Sequence, residues 1–243
     1  MNILDKYGIK EVADVTFYEI AEGGKPGAPV LYLDTLKVST IEQTAENTSA
    51  RGGKGNPELV SWDYGKEITL TLEDALFSAK SMALMYGVDI KDTGDFGEET
   101  TILKTVPVSE VTTDGKIKIN GQDVTVTELK YYDAEGKDVT SDKTGAVYAT
   151  GKITVSGQKI IISSDKFPGT YYITGDTFAR SEKTGKDEFF QFIVPKAKMQ
   201  SEVTLTMEAE GDPSTFNMSL KVLRPADGDM MKLVKYSLPG AST

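Results

Sequence analysis

The sequence predicts a mainly β fold with one flanking helix. Short apolar runs alternate with turn signals such as Asp114-Gly115, Asn120-Gly121 and Pro168-Gly169 along the 243 residues, a spacing typical of β-dominated chains. Within several of these runs apolar and polar residues alternate, which is the pattern of a strand with one buried face. One further segment has helical periodicity.

Individual strands follow from these patterns along the chain. Ile68, Leu70 and Leu72 share one face of a strictly alternating segment, so that face is predicted to be buried. The continuous run Ile160-Ile161-Ile162 instead predicts a strand buried on both faces, and Asn120-Gly121 predicts a two-residue hairpin turn. The predicted strands are residues 15–20, 30–33, 67–72, 116–119, 124–127, 160–162, 170–174, 189–194, 203–209 and 216–222, the last two forming a hairpin about Gly211-Asp212-Pro213.

The helix is predicted over residues 72–86. Its apolar positions form one stripe at helical spacing. Thr71 is a suitable N-cap, and Glu73 and Asp74 place negative charge in the first turn, where the helix dipole favours it. Gly87 is the expected stop.

A long polar loop is predicted over residues 40–57, between two strand-like segments. The stretch has almost no apolar periodicity. Long loops inside compact domains are uncommon unless they are functional or disordered. Two interpretations are open: a mobile surface loop, or an arm that becomes ordered only against a partner subunit.

The residue types that are missing exclude most catalytic chemistry. With no histidine and no cysteine, the chain has no Ser-His-Asp triad, no Cys-His pair and no zinc site built on imidazole or thiolate. No Gly-Lys pair is followed by Ser or Thr, so no phosphate-binding loop is predicted. The acidic segment 89–99 is rich in oxygen ligands, but Lys91 breaks the EF-hand spacing. We therefore predict no enzyme, no cofactor, no metal and no catalytic residues.

The net charge and hydropathy of the chain restrict the classes of partner that it can bind. Asp and Glu outnumber Lys and Arg by 37 to 27, a formal net charge of −10, which disfavours tight nucleic-acid binding because that affinity comes mainly from neutralised phosphates. No apolar run approaches the ~18 residues of a membrane span, and the N-terminus lacks the features of a signal peptide. The length fits one large β domain or two small ones. We predict a single domain over residues 1–243 with a β-rich insertion at about 100–157.

Two stretches of the sequence resemble tail tube proteins of tailed bacteriophages. They are residues 52–76, which include Leu59-Val60-Ser61-Trp62-Asp63-Tyr64, and residues 189–199 together with the hairpin that ends at Arg224. The order of elements is also similar: a strand, a long polar loop, a strand, a helix and a β-rich remainder. The resemblance is strongest over residues 30–87 and 158–236.

The resemblance implies a structural role. Members of this family, which is related to type VI secretion tube proteins, fold as a β-sandwich or barrel with a flanking helix. They form hexameric rings whose sheets join into an inner β-barrel, and the rings stack into a tube that conducts DNA into the host. The implied partners are further copies of the chain and the sheath or terminator, baseplate and tape measure proteins. DNA passes through the lumen without specific binding. The implied location is the virion tail, assembled in the host bacterial cytoplasm.

On this interpretation, the long polar loop and the aromatic strand after it contact other subunits. Trp62 and Tyr64 fall on one strand face, where aromatic pairs anchor interfaces, stack on sugars or pack in a core. Two other function classes stay open: a carbohydrate-binding or tail fibre or baseplate β-sandwich module, and a capsid decoration protein. The candidate subunit-interface residues are Arg51, Gly52, Gly53, Lys54, Trp62 and Tyr64.

Overall fold

The computed structural model describes residues 6–88, 99–157, 159–205 and 215–237. It divides into two compact units, one formed by Met1–Ile90 with Ile160–Thr243 and the other by Lys91–Lys159. The strands of both units pair antiparallel, and the described part of the chain has one α-helix, at Ala79–Tyr86. The mainly β fold with a single helix is therefore confirmed. No helix in the described ranges has the length and apolar character needed to span a membrane.

The elements occur in the following order along the chain. They are β1 Tyr7–Ile9, β2 Asp14–Ile20, β3 Pro26–Leu33, β4 Leu36–Arg51, β5 Glu58–Asp74, α1 Ala79–Tyr86, β6 Glu99–Pro107, β7 Ile117–Ile119, β8 Gln122–Val124, β9 Thr127–Tyr132, β10 Tyr148–Ser156, β11 Thr170–Ser181, β12 Asp187–Met199, β13 Phe216–Val222 and β14 Lys232–Tyr236.

The first unit is built on one nine-stranded sheet. Its main order is β3-β2-β11-β12-β13-β5-β4, and in addition β1 pairs with β11 and β14 pairs with β12. Within the described residues the sheet is open, with β3 and β4 at its two ends. These strands therefore do not form the closed barrel within one subunit that the resemblance allows.

The core of the first unit lies on one face of these strands. Ile68, Leu70 and Leu72 are buried, as their alternation predicts. The register places Leu72 opposite Met218 and Leu70 opposite Leu220, so two alternating rows meet on one face. Together with buried side chains of β2, β3, β11 and β12 they form a single apolar cluster.

An aromatic ring packs over a strand glycine at Gly175. This buried residue of β11 is paired with Phe192 of β12, and the Phe192 ring occupies the space that a Cβ at position 175 would need. Phe192 is itself only 3% exposed. The ring therefore leaves no room for a larger residue at position 175.

The helix ends where predicted and begins later than predicted. Ser78 is the N-cap: its Oγ accepts a hydrogen bond from the Ser81 amide at 3.0 Å, and the Ser81 Oγ accepts one from the Ser78 amide at 2.9 Å, a capping box. Gly87, in the left-handed conformation, ends the helix. The predicted start at residue 72 is wrong because β13 pairs with β5 as far as Asp74, which keeps the proposed first turn extended.

The predicted polar loop over residues 40–57 is also wrong. Residues up to Arg51 continue β4, and β5 begins at Glu58, so the two strands form a long antiparallel hairpin. The prediction failed because neither face of this hairpin is buried near its tip. Without burial no apolar alternation is needed, although pairing still satisfies the backbone groups.

Two other strand predictions differ from the structure. Residues 160–162 form no strand, and Ile161 and Ile162 are 49% and 61% exposed. An apolar run becomes a buried strand only if other strands flank it, and no described strand pairs with this one. In the predicted hairpin about residues 211–213, the second strand is β13, residues 203–205 are not in a strand, and 206–214 lie outside the described residues.

The second unit contains two small sheets. One has the order β6-β10-β9 and the other is the hairpin β7-β8. The Asn120-Gly121 turn is confirmed, with φ of 48° and 81°, the positive values that a type I′ turn requires. The strand predicted over 124–127 ends at Val124 instead. A small core contains buried Val106, Ile117 and Ile153.

The turn at residues 112–116 of this unit holds a carboxylate, Asp114, whose pKa is lowered by its neighbours. The Thr112 hydroxyl donates a hydrogen bond to Asp114 at 2.5 Å and the Lys116 ammonium lies 2.9 Å from the same carboxylate. These two contacts lower the pKa of Asp114 to about 2. Because the folded pKa is depressed, the stabilisation is present above the ordinary pKa and is lost as the pH falls through the folded one. We expect Thr112→Val to raise the Asp114 pKa, measured by NMR titration of its carboxyl carbon, whereas an unchanged pKa would contradict the assigned cause.

Candidate subunit interface

The outer part of the β4–β5 hairpin projects beyond the core. We call it the arm: Thr44–Arg51 of β4, the turn 52–57, and Glu58–Glu67 of β5. Nearly all of its residues are exposed, with Ser49 and Gly52 half-buried, and none belongs to the apolar cluster of the first unit. The two strands are paired throughout, with Glu46 opposite Tyr64 and Thr48 opposite Trp62.

The tip of the arm is a glycine-rich turn. The Gly52 amide donates to the Pro57 carbonyl at 3.2 Å, and the Asn56 amide donates to the Gly53 carbonyl at 3.1 Å. Gly53 has a φ of 83°, in the left-handed region that glycine adopts without strain. Arg51 and Glu58 form a cross-strand ion pair of 3.2 Å at the base of the turn.

The exposed Lys54 lies in the turn itself. It makes no ion pair with any residue in the described ranges. Its ammonium group is therefore available to another molecule at the end of the arm.

A bulge at Gly65 separates the arm from the core part of the hairpin. Thr44 pairs with Glu67 but Glu46 pairs with Tyr64, so two residues of β5 lie opposite Ala45. Gly65 has a φ of 64°, as the first residue of a glycine bulge does. Bulges of this kind bend a strand and increase its twist, and this one lies where the burial of β5 stops.

The bulge also decides which face carries the aromatic side chains. Gln43 pairs with the buried Ile68, so from Ser39 onward the odd-numbered residues of β4 lie on the core side of the hairpin. Glu46 and Thr48 lie on the other side, and their partners Tyr64 and Trp62 lie there with them, because directly paired residues share a face. The aromatic face is therefore the one that turns away from the core.

This aromatic face is apolar and exposed. Val60, Trp62 and Tyr64 are 49%, 55% and 52% exposed. The core interpretation of Trp62 and Tyr64 is thus excluded, whereas their position on a common strand face is as predicted. A contiguous exposed apolar row of this kind is typical of an interaction surface.

The arm also has free strand edges. β4 pairs with β5 alone, and β13 reaches along β5 only to Thr69, so among the described strands both sides of the arm lack a neighbour. A lone two-stranded hairpin is marginally stable in water, and free edges accept further strands. The arm is therefore suited to pack or pair with another chain.

The structure places all six candidate residues on the arm. Arg51, Gly52, Gly53 and Lys54 lie at the tip, and Trp62 and Tyr64 lie on the aromatic face. Val60, Glu46 and the bulge at Gly65 were not predicted from the sequence. The signal available for Val60 was its spacing: Val60, Trp62 and Tyr64 are every second residue of the strand and so share one face. The described residues hold no group of three or more carboxylates that could bind a metal ion, and segment 89–98 lies outside them.

Comparisons with known proteins identify the family of this chain. The family model described as the YomU/Tube protein family matches residues 7–235. A protein named tail tube protein, from Bacillus phage SPR, is 25% identical over 241 residues, covering 93% of this chain and 87% of the relative. The predicted resemblance to phage tail tube proteins is confirmed. The chain belongs to the YomU/Tube protein family, whose members are structural proteins and not enzymes.

Proposed function

We propose that this protein is the tail tube subunit of a phage, assembling with copies of itself into stacked hexameric rings. The exposed arm carries the proposal, because a hairpin with an exposed aromatic row and two free edges is a liability for a monomer and useful for a polymer. The family match over residues 7–235 supports it. Neither comparison names a carbohydrate-binding module or a capsid decoration protein.

The two kinds of contact use different parts of the first unit. Within a ring, the open sheet ends at β3 and β4 join neighbouring subunits, so that sheets of one ring form a continuous inner barrel. Between rings, the arm reaches the next layer through Arg51, Gly52, Gly53, Lys54 and the aromatic face. A contact that joins unlike surfaces closes into a ring if its rotation closes and extends a filament if it does not.

The charge of the chain suits a conduit for DNA. A net charge of −10 per subunit repels phosphates where acidic side chains line a lumen, so DNA passes during ejection without being held. The same tube contacts the sheath or terminator, the baseplate and the tape measure protein. It is part of the virion tail and is assembled in the cytoplasm of the host bacterium. No cofactor takes part.

Microscopy and fluorescence of the purified protein test the proposal together. Trp62 is the one tryptophan of the chain, and it is half-exposed on the arm. We expect tubes or rings of uniform width in negative stain, and a blue shift of the tryptophan emission as dispersed subunits assemble, because assembly covers the indole. Subunits that stay monomeric at every concentration and salt condition would contradict the tube function. Tubes without an emission shift would contradict the role of the aromatic face.

A further inference from the structure

A second exposed apolar surface lies at the opposite end of β4 from the arm. It is an open cleft of about 340 Å³, lined by residues of the β1–β2 connection, the first residues of β4, and β11 and β12. Apolar lining residues include Ile9, Val38 and Ile41, which are 57%, 44% and 36% exposed. Phe190 contributes to the wall. The cleft is large enough to admit a large aromatic side chain.

The charges around this cleft favour an acidic occupant. Lys10 and Lys37 are exposed lining residues, and neither forms an ion pair within the described ranges. Glu11 contributes one opposing carboxylate to the lining. The lining therefore carries a net positive charge beside its apolar residues.

The aromatic face of the arm has the complementary properties. Val60, Trp62 and Tyr64 supply the apolar row, and the exposed Glu46 is paired with Tyr64 on the same face. Glu46 makes no ion pair with any residue that the structure describes. The aromatic face of the arm, with its carboxylate, is therefore complementary to the cleft, which combines apolar residues with a net positive charge.

Within one copy, the aromatic face of the arm is too far from the cleft to contact it. Ser39, which lines the cleft, and Thr48, which lies opposite Trp62, are nine residues apart on the same strand. At about 3.3 Å per residue they are separated by roughly 30 Å. Because the two surfaces differ, joining them between copies gives a contact of unlike surfaces that can repeat from one copy to the next.

We propose that the aromatic face of the arm of one copy docks in the cleft at the start of β4 of another copy. This inference rests on the proposed tube function and names the receiving surface for the arm. Trp62 enters the cleft against Ile9, Ile41 and Phe190, and Glu46 faces Lys10 and Lys37.

Cross-linking tests the contact directly, because the chain contains no cysteine of its own. The variant Thr48→Cys with Ile41→Cys places one thiol beside Trp62 and one in the cleft. Treated as assembled tubes with a short bismaleimide, it should give a ladder of covalent oligomers, since every copy carries both partners. The matched control is Asn47→Cys with Ile41→Cys, whose arm thiol lies on the opposite face of β4. We expect at least a fivefold weaker ladder from it.

The possible outcomes separate this contact from the tube function. If tubes form and both thiols react with a maleimide dye in dispersed subunits, equal ladders from the two variants would overturn the docking and leave the tube function standing. Another protein or another face of the subunit would then cover the cleft. If the unmodified protein forms no tubes, the tube function fails first.

Swapping the charges across the proposed contact gives a second, independent test, which can be used if the double-cysteine variant assembles poorly. Glu46→Lys should abolish tube formation in negative stain because it faces two lysines. Adding Lys10→Glu and Lys37→Glu to it should restore tubes. Failure of the triple variant to recover, with its subunits folded by circular dichroism, would overturn the docking.

Discussion

Replacing Ala45–Lys66 by an Asn-Gly turn should abolish tube assembly and leave the subunit folded. The new turn joins Thr44 to Glu67, which are already paired, and Asn-Gly suits a two-residue hairpin. No residue of the core cluster lies between positions 45 and 66, so the burial that stabilises the first unit is kept. The truncated protein should show the circular dichroism spectrum of a β protein, sediment as a monomer and form no tubes in negative stain.

Point variants on the two faces of the arm provide the matched control. Trp62→Ser with Tyr64→Ser removes the aromatic face and should reduce the pelleted polymer strongly. Ser61→Ala with Asp63→Asn alters the other face and should leave assembly close to normal. Normal tubes from the truncated protein, or equal losses from the two point variants, would show that the arm is not the joint between subunits.

Gly175→Ala should be the most destabilising small substitution in the core of the first unit. The added Cβ would collide with the Phe192 ring on the paired strand, and both residues are buried. Overpacking of a rigid core costs about 1–3 kcal/mol in the free energy of unfolding, which lowers Tm by roughly 2–4 °C per kcal/mol in a protein of this size. Urea or thermal unfolding followed by circular dichroism measures the loss.

A double-mutant cycle identifies the collision as the cause. Phe192→Leu alone leaves a cavity and is destabilising, but in the double variant the smaller side chain gives the new methyl group room. The combined loss should therefore be clearly smaller than the sum of the two single losses. Gly8→Ala is the control, because this exposed strand glycine has no atom within 4 Å of an added Cβ. Additive losses, or an equal loss at Gly8, would contradict the collision.

Elements that bury one face were predictable because their signal is local. Ile68, Leu70 and Leu72 alternate because the strand has a period of two and only one side meets the core. Asn120-Gly121 marks its hairpin because these residue types adopt positive φ readily. Gly87 likewise marks the end of the helix. In each case the conformation depends on a few residues that are adjacent in the sequence.

The candidate interface was predictable only in part. Sequence indicated that residues 51–54 and the pair Trp62 and Tyr64 contact other subunits, and the resemblance to tail tube proteins supplied the reason. It did not indicate that they share one arm, because a strand exposed on both faces has no apolar period to detect. The bulge at Gly65, which turns the aromatic side chains away from the core, appears only when the register of β4 on β5 is known.

By itself, the sequence determined that this protein is a mainly β chain without histidine or cysteine chemistry, with buried strand faces and the family features of a tail tube protein. The tertiary structure decided which segments became strands at all. Residues 40–51 are extended because β5 pairs with them, residue 72 is in a strand because β13 pairs with β5, and Ile160-Ile161-Ile162 stays outside the sheet. The physical reason is that backbone pairing joins segments far apart in the chain, and no local pattern of side chains records which partner a strand will find.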